Sequence, residues 1–284
     1  RYGRYGGIGY YHVSDTYIAL FSHFIPCGVR EAVYILDGLI KNSSNIKPDT
    51  VHGDTNSQNT VAFGLAYLLG IKLMPRIKNI KDLSLFRPDK QTSFEHIDDL
   101  FSDKINWKLI QTHLPDMLRV VLSITAGKMM PSTILKRLGS HSRKNKLYYA
   151  FRELGRAVRT QVLLEYIHDM ELRRTISAAT NKSEEFNQFA DWVAFASKVI
   201  PENLRHEQTK VIKYNHLVAN LIILYNVDEM TRVFNELKKE GYLIDKSVLK
   251  AFAPYRTLHI NRFGSYNPDM NLKAKPQNFK LFLT

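Results

Sequence analysis

TVHGDTNSQNTVAFGLAYLLGIKLMPRI, residues 50–77, decides how the chain is read. The short run Thr50-Val51-His52-Gly53 stops at a carboxylate, Asp54. Polar and small residues follow. TVAFGLAYLLG then reads as a buried helix, with Gly70 where a glycine is wanted just past a helix C-terminus. IKLMPRI reads as a second strand. Strand, helix and strand of this length predict a βαβ unit with strands 50–54 and 71–77 parallel. In open α/β sheets, sites gather at the carboxyl ends of strands, and Asp54 falls at such an end. Taken alone, Asp54 is a turn or helix-capping residue. A metal role needs further carboxylates.

Upstream, GIGYYHVSDTYIALFSHFIPCG (7–28) is rich in aromatic and β-branched residues and predicts two antiparallel strands, 8–13 and 17–25, turning at Ser14-Asp15-Thr16. In VREAVYILDGLIKN, residues Val29, Ala32, Val33, Leu36, Leu39 and Ile40 recur at helical spacing and predict an amphipathic helix. From about residue 80 the signals become helical: SFEHIDDLF, WKLIQTHLPDMLRVVLSI, PSTILKRLG and KLYYAFRELGRAVRTQVLLEYIHDM. Pro115 is expected to kink or split the second of these. ELRRTISAA and NKSEEFNQFADWVAFASK predict two further helices, followed by helices over 206–224 and 228–240 and a short one from Asp245. HINRFGSYNP and the tail after it are expected to be irregular. No repeat, low-complexity tract or linker interrupts the chain.

The 284 residues carry 40 Lys and Arg against 27 Asp and Glu, a net charge of +13. That excess favours a polyanionic partner, and nucleic acid is the commonest. The longest apolar run, Val61 to Ile71, is too short to span a bilayer, so no membrane partner is expected. The single cysteine, Cys27, excludes an internal disulfide framework and cannot build a zinc site by itself. A cytoplasmic setting fits. The chain begins RYGRYG without a methionine, which predicts a piece of something longer.

A β-hairpin, a helix, a strand ending in Asp, a helix and a strand predict an α/β fold of the RNase H-like kind, with a large helical insertion and extra C-terminal helices. Enzymes of that fold hold two divalent metals with carboxylates drawn from distant parts of the chain. Hard cations such as Mg²⁺ take oxygen ligands. Two of them about 3.5–4 Å apart stabilise both the attacking and the leaving oxygen of an in-line displacement. The partner carboxylate for Asp54 is sought in NKSEEFNQF, at Glu184 or Glu185.

At this point the sequence resembles the transposases of the Tn-three family of replicative bacterial transposons. GGIGYYHVSDTYIALFSHFIPCG, EAVYILDGLIKN, FGLAYLLGIKLMPRI, FRELGRAVRT, LRRTISAATNKSE, KYNHLVAN and HINRFG, in that order, are similar to the family's catalytic region. The resemblance implies an Asp-Asp-Glu metal triad whose second Asp falls on Asp54 and whose Glu falls on Glu184. It implies a two-metal Mg²⁺ site, for which Mn²⁺ can substitute. The family's first Asp lies in an Asp-Gly-x-Arg-Phe type motif before the hairpin. No such motif occurs here, so the first strand and first ligand are expected to be missing. Asp15 belongs to a separate Val-Ser-Asp feature. The family's polar turn after Asp-Thr usually contains glycine, whereas this chain has Asn56-Ser57-Gln58-Asn59.

The resemblance implies cleavage of transposon ends and joining of their 3′-hydroxyls to target DNA. The partners implied are terminal inverted repeats and target DNA, met by at least a dimer in the bacterial cytoplasm at the nucleoid. The competing expectation is an inactive transposase remnant that only binds DNA, and fold alone also admits a repair or RNA-guided nuclease. The divisions expected are 1–78 for the core, 79–168 for the insertion, 169–258 for the Glu184 helix and C-terminal helices, and 259–284 for a tail. Arg76, Arg156, Arg159, Lys182, Lys210 and Lys213 are candidates to track a DNA backbone, with salt-dependent affinity and little sequence reading. Their bland reading is a solvated face. Asn181 followed by Glu184 also resembles a helix capping box. His52 and His216 are read as satisfied structural histidines.

Overall fold

The computed structural model describes residues 7–26, 31–42, 44–45, 47–53, 59–77, 79, 84–140, 145–194, 200, 204–265, 267 and 269–271. Asp54 and the turn through Gln58, Cys27 and the tail from residue 272 lie outside the described residues.

The chain folds as a mixed α/β protein dominated by helices. Strands β1 (Gly7–Val13) and β2 (Ala19–Pro26) form the predicted hairpin, in register from Gly7 opposite Pro26 and with an irregularity at His12/Val13. A single 3-10 turn, Glu31–Val33, and a short helix, α1 (Asp37–Ile40), follow. The amphipathic helix expected over residues 29–40 therefore breaks up. Tyr34, Ile35, Leu36 and Asp37 are consecutive and all buried, which one face of a helix cannot supply. The Asp37 carboxylate accepts from Ser132 N at 2.8 Å and Ser132 Oγ at 2.6 Å, at the start of α4 (Pro131–Ser140). A buried carboxylate at a helix N-terminus meets unpaired N–H groups and the positive end of the dipole.

The βαβ unit forms as the sequence predicts. Strand β3 (Thr50–Gly53), helix α2 (Thr60–Leu68) and strand β4 (Lys72–Pro75) place the two strands parallel, with Gly53 opposite Pro75. Asn59 caps α2 by accepting from Val61 N and Ala62 N, and Gly70 takes the predicted left-handed φ of +73°.

The segment expected to be wholly helical contains a second parallel pair, β5 (Leu85–Arg87) and β6 (Phe101–Lys104). SFEHIDDLF is thus not a helix. The Asp98 carboxylate accepts from Phe94 N at 3.0 Å and from Arg87 Nη2 at 2.9 Å, which closes a compact turn and leaves only one 3-10 turn before β6. Helix α3 (Trp107–Thr125) runs unbroken through Pro115. Gln111, whose carbonyl would have paired with residue 115, is exposed, so water can satisfy that carbonyl.

Helix α5 (Lys146–His168) crosses α2 at two glycines. Gly155 sits against the Thr60 carbonyl and the Gly64 amide, leaving no room for a side chain. This crossing centres the largest core cluster, with Phe63, Leu65, Phe151, Met117 and Ile124 fully buried.

Two pairs of expected helices are each one helix. α6 (Met170–Val193) continues through Asn181, because its buried stripe of Ile176, Thr180, Phe186, Phe189, Ala190 and Val193 has no break. Asp169, not Asn181, is its cap, accepting from Leu172 N at 3.0 Å. The capping-box reading of Glu184 therefore falls. α7 (Arg205–Lys239) runs for 35 residues through Asn226. That side chain donates to the Pro254 carbonyl at 2.7 Å and the Arg256 carbonyl at 2.9 Å, so it ties a later segment to the helix instead of ending it. α8 (Lys246–Lys250), capped by Asp245, completes the described elements.

Candidate active site at the end of strands β3 and β4

β3 ends at Gly53, and Asp54 is next in the sequence. The Arg76 amide, just past β4, donates to the Gly53 carbonyl at 2.7 Å. The Arg76 side chain then reaches α6: Nη1 stands 3.7 Å from Glu184 Oε1. One arginine thus connects the last residue of β3 to the carboxylate singled out on a distant helix. Both side chains stay open to solvent, at 34% for Arg76 and 62% for Glu184.

The neighbouring carboxylate goes elsewhere. Successive helix residues point about 100° apart. Glu185 lies close enough to Tyr255 for its charge to act on that phenol. Burial first, and then Glu185, push the Tyr255 hydroxyl well above its ordinary pKa. Of the two adjacent acids, Glu184 is the one turned to the strand ends.

α6 is held in this position by the tip of the hairpin. Lys182 Nζ donates to the Asp15 carbonyl at 2.7 Å and lies 4.3 Å from the Tyr17 ring centroid. Tyr17 is the one described non-glycine residue with positive φ, at 70°, an outlier for a bulky side chain. Tyr255 offsets that strain by donating to the Tyr17 carbonyl at 3.0 Å. Lys182 sits in mid-helix, not at a helix start, and joins α6 to the hairpin.

KYNHLVAN, residues 213–220, acts as a clamp from α7. Asn220 Oδ1 accepts from Ala19 N at 3.1 Å, and its Nδ2 donates to Ala19 O at 2.8 Å. His216 Nε2 donates to the same carbonyl at 2.7 Å, which leaves Nδ1 to accept from Ser22 Oγ at 2.9 Å. Burial first keeps this ring below its ordinary pKa, consistent with a neutral, satisfied histidine. Asn215 donates to the Ala190 carbonyl of α6 at 3.0 Å. Hairpin, α6 and α7 are therefore locked together by three polar side chains. The sequence signal was present, since residues 215, 216 and 220 share one helix face, but polar residues on a buried face do not announce their partners. His52 differs from His216: its Nδ1 is buried and has no partner among the described residues, and burial lowers its pKa.

The other cationic candidates are spread out. Arg156 donates to buried Glu153 at 2.8 Å and lies over the Phe86 ring. Glu153 also accepts from the Asn106 amide at 3.1 Å, so FRELGRAVRT organises the start of α3 as well as the α2 crossing. Arg159 has a buried Nε with no partner among the described residues, and burial lowers its pKa. Lys210 pairs with Glu207 at 2.7 Å. Lys213 lies over Phe21, 5.5 Å from the ring centroid.

As a metal donor set the site fits in chemistry and not in number. Glu184 offers the oxygen ligand that hard cations require. No three His, Cys, Asp or Glu side chains converge among the described residues.

Residues 1–266 match the family model described as Tn3 transposase DDE domain. The chain belongs to that family. This DDE domain is 32% identical over 270 residues to the transposase for transposon Tn3926 of Escherichia coli, covering 94% of the chain and 27% of that protein. It is 32% identical over 263 residues to the transposase for transposon Tn501 of Pseudomonas aeruginosa, covering 92% of the chain and 26% of that protein. It is 31% identical over 264 residues to the transposase for transposon Tn1546 of Enterococcus faecium, with 92% and 26% covered. The DDE domain thus spans about a quarter of the length of the curated relatives it matches. No helix among its described residues is long and apolar enough to cross a membrane.

Proposed function

We propose that this chain is the catalytic region of a DDE transposase, which cuts transposon ends and joins the freed 3′-hydroxyls to target DNA. The supporting observation is that Arg76 bridges the last residue of β3, just before Asp54, and Glu184 on α6. On this reading the β1–β2 hairpin, β3, α2 and β4 belong to an RNase H-like core. Residues 79–168 are an insertion, and 169–258 bring in the Glu184 helix and its supports.

Asp54 and Glu184 would hold Mg²⁺ together with a third carboxylate. A bound divalent pair would polarise the scissile phosphate and lower the pKa of the attacking oxygen. The chain's own residues supply position and charge. Arg76 has a partly exposed guanidinium with donors free to take up a phosphate oxygen next to the reacting bond, where planar bidentate recognition suits Arg better than Lys. Its weak 3.7 Å hold on Glu184 is an exposed pair that costs little to exchange. Lys182, Tyr17 and Tyr255 fix α6 against the hairpin, and phosphoryl transfer depends on such positioning. Two transposon ends must be processed, so the reaction calls for at least a dimer on DNA.

The test uses the natural full-length protein on transposon-end DNA with Mg²⁺. Asp54→Asn and Glu184→Gln should each lower end cleavage by about a thousandfold or more while leaving DNA affinity within about threefold. Retained cleavage in either variant would remove that residue from the ligand set.

A further inference from the structure

A second basic site lies at the other end of the hairpin. From the Ala19 clamp to His23 is four residues of β2, about 13 Å of strand, in the direction away from the Ser14–Ile18 turn. His23 stands in a stack of rings capped by a cation at each end. Lys213 Nζ lies 5.5 Å from the Phe21 centroid, and Phe21 and His23 are stacked with centroids 6.0 Å apart. The His23 and Tyr34 rings are 4.7 Å apart, and Lys136 Nζ donates to Tyr34 OH at 2.6 Å while sitting 4.3 Å from that ring centroid.

Lys41 and Arg205 approach the same place. Burial first, then the charges of Lys41, Arg205 and Lys213, hold the His23 ring below its ordinary pKa, with Asp37 acting the other way. Lys41 also acts on Lys213, whose pKa is lowered mainly by burial. The four cations therefore stand on four elements: the end of α1, α4, the first turn of α7 and one two turns later. All four are exposed. Asp37, the carboxylate that acts on His23, is buried and already accepts two hydrogen bonds from Ser132, so it does not neutralise them. His23 Nε2 is buried with no partner among the described residues. Like charges brought together from four elements are costly in a free protein and favourable once an anion joins them.

We propose that Lys41, Lys136, Arg205 and Lys213 around His23 form a seat for the phosphate backbone of duplex DNA, separate from the Glu184 end of the molecule. The seat contacts phosphate and not bases, so it holds a duplex without reading its sequence. It rests on the reading of this chain as a DNA-acting domain and adds to that reading a defined backbone contact away from the chemistry.

The test is fluorescence anisotropy of a 30-base-pair duplex with the 284-residue chain, titrated from about 50 to 300 mM KCl. The variant is Lys41→Gln/Lys136→Gln/Arg205→Gln/Lys213→Gln. The control removes four exposed lysines elsewhere: Lys104→Gln/Lys128→Gln/Lys246→Gln/Lys250→Gln. Each lost phosphate contact lowers the slope of log K against log salt by about 0.9, so the seat variant should lose about 3 in slope and the control less than about 1. Equal losses, or no loss in the seat variant, would overturn the seat. If the fourfold variant does not fold, lysine acetylation of the wild-type chain decides. DNA should protect Lys41, Lys136 and Lys213 and spare Lys246 and Lys250. Absence of that protection, or protection by anionic lipid vesicles and not by DNA, overturns the proposal. Cleavage by the Glu184→Gln full-length protein is a separate readout, so failure of the catalytic reading is distinguishable from failure of the seat.

Discussion

The guanidinium of Arg76 stands 3.7 Å from the carboxylate of Glu184, and the same residue's amide is bonded to Gly53 at the end of β3. The pair is too exposed and too long to matter much for stability. Its consequence is geometric: a mid-helix carboxylate is brought to the strand end after which Asp54 follows. Arg76→Gln should change the free energy of unfolding by less than about 1 kcal/mol, as expected of an exposed ion pair. It should lower end cleavage by the full-length protein about tenfold or more. Urea unfolding and a cleavage time course check the two halves. Unchanged cleavage would reduce Arg76 to a surface residue.

Glu184 and Glu185 are adjacent and differ in surroundings, so their substitutions should separate. Glu185→Gln is expected to keep cleavage within about threefold of wild type, whereas Glu184→Gln is expected to abolish it. Glu185→Gln should instead make Tyr255 easier to ionise, because it removes the second cause of that phenol's raised pKa. Ultraviolet difference titration of the tyrosines reads this directly. Equal loss of cleavage in both variants would mean that the α6 turn as a whole, and not one carboxylate, is needed.

The βαβ unit and the hairpin were legible because they rest on local signals: β-branched strands, a turn at Ser14-Asp15-Thr16, and a glycine at position 70 that takes positive φ. Helix ends were not. Asn181 and Asn226 look like breaks in sequence, yet each sits inside a continuous helix. The buried stripe of α6 runs through the first, and the 254–256 segment engages the side chain of the second. Strands β5 and β6 were hidden because SFEHIDDLF has helical composition, and the Arg87–Asp98 contact that prevents a helix depends on a residue outside that window. The carboxylates Asp54 and Glu184 came from the family resemblance, since spacing alone could not choose between Glu184 and Glu185. That Arg76 would approach Glu184 depends on tertiary placement that no local pattern records.

The α2–α5 crossing should be the least forgiving place in the fold. A methyl group on Gly155 would meet the Thr60 carbonyl and the Gly64 amide, which are backbone and cannot swing aside. Gly155→Ala should cost about 3 kcal/mol or prevent soluble expression, at the upper end of overpacking effects. Gly139 on α4 has nothing near its missing Cβ. Gly139→Ala should be neutral or stabilise by up to about 1 kcal/mol through helix propensity. Thermal denaturation of the two variants checks the contrast. Similar stabilities would show that the two helices can separate without penalty.

Acid should weaken this domain at pH values where ordinary carboxylates are still charged. Burial lowers the pKa of His12 to about 4, and its ring is held by Tyr10 at 3.0 Å and lies 5.4 Å from Phe21, centroid to centroid. The depressed value sets the sign. Above pH 6.5 the ring is neutral in both states and stability is full. As pH falls towards 4, the unfolded chain takes up a proton that the folded ring refuses, and stability is lost. The shift of about 2.5 units corresponds to a loss on the order of 3 kcal/mol across that window. His23, His52 and His216 shift in the same direction and add to it. Urea unfolding at pH 7 and at pH 4.5 should show the loss in the wild-type chain, and His12→Phe should retain a larger share of its neutral-pH stability. Identical pH profiles for the two proteins would show that His12 titrates freely in the folded state.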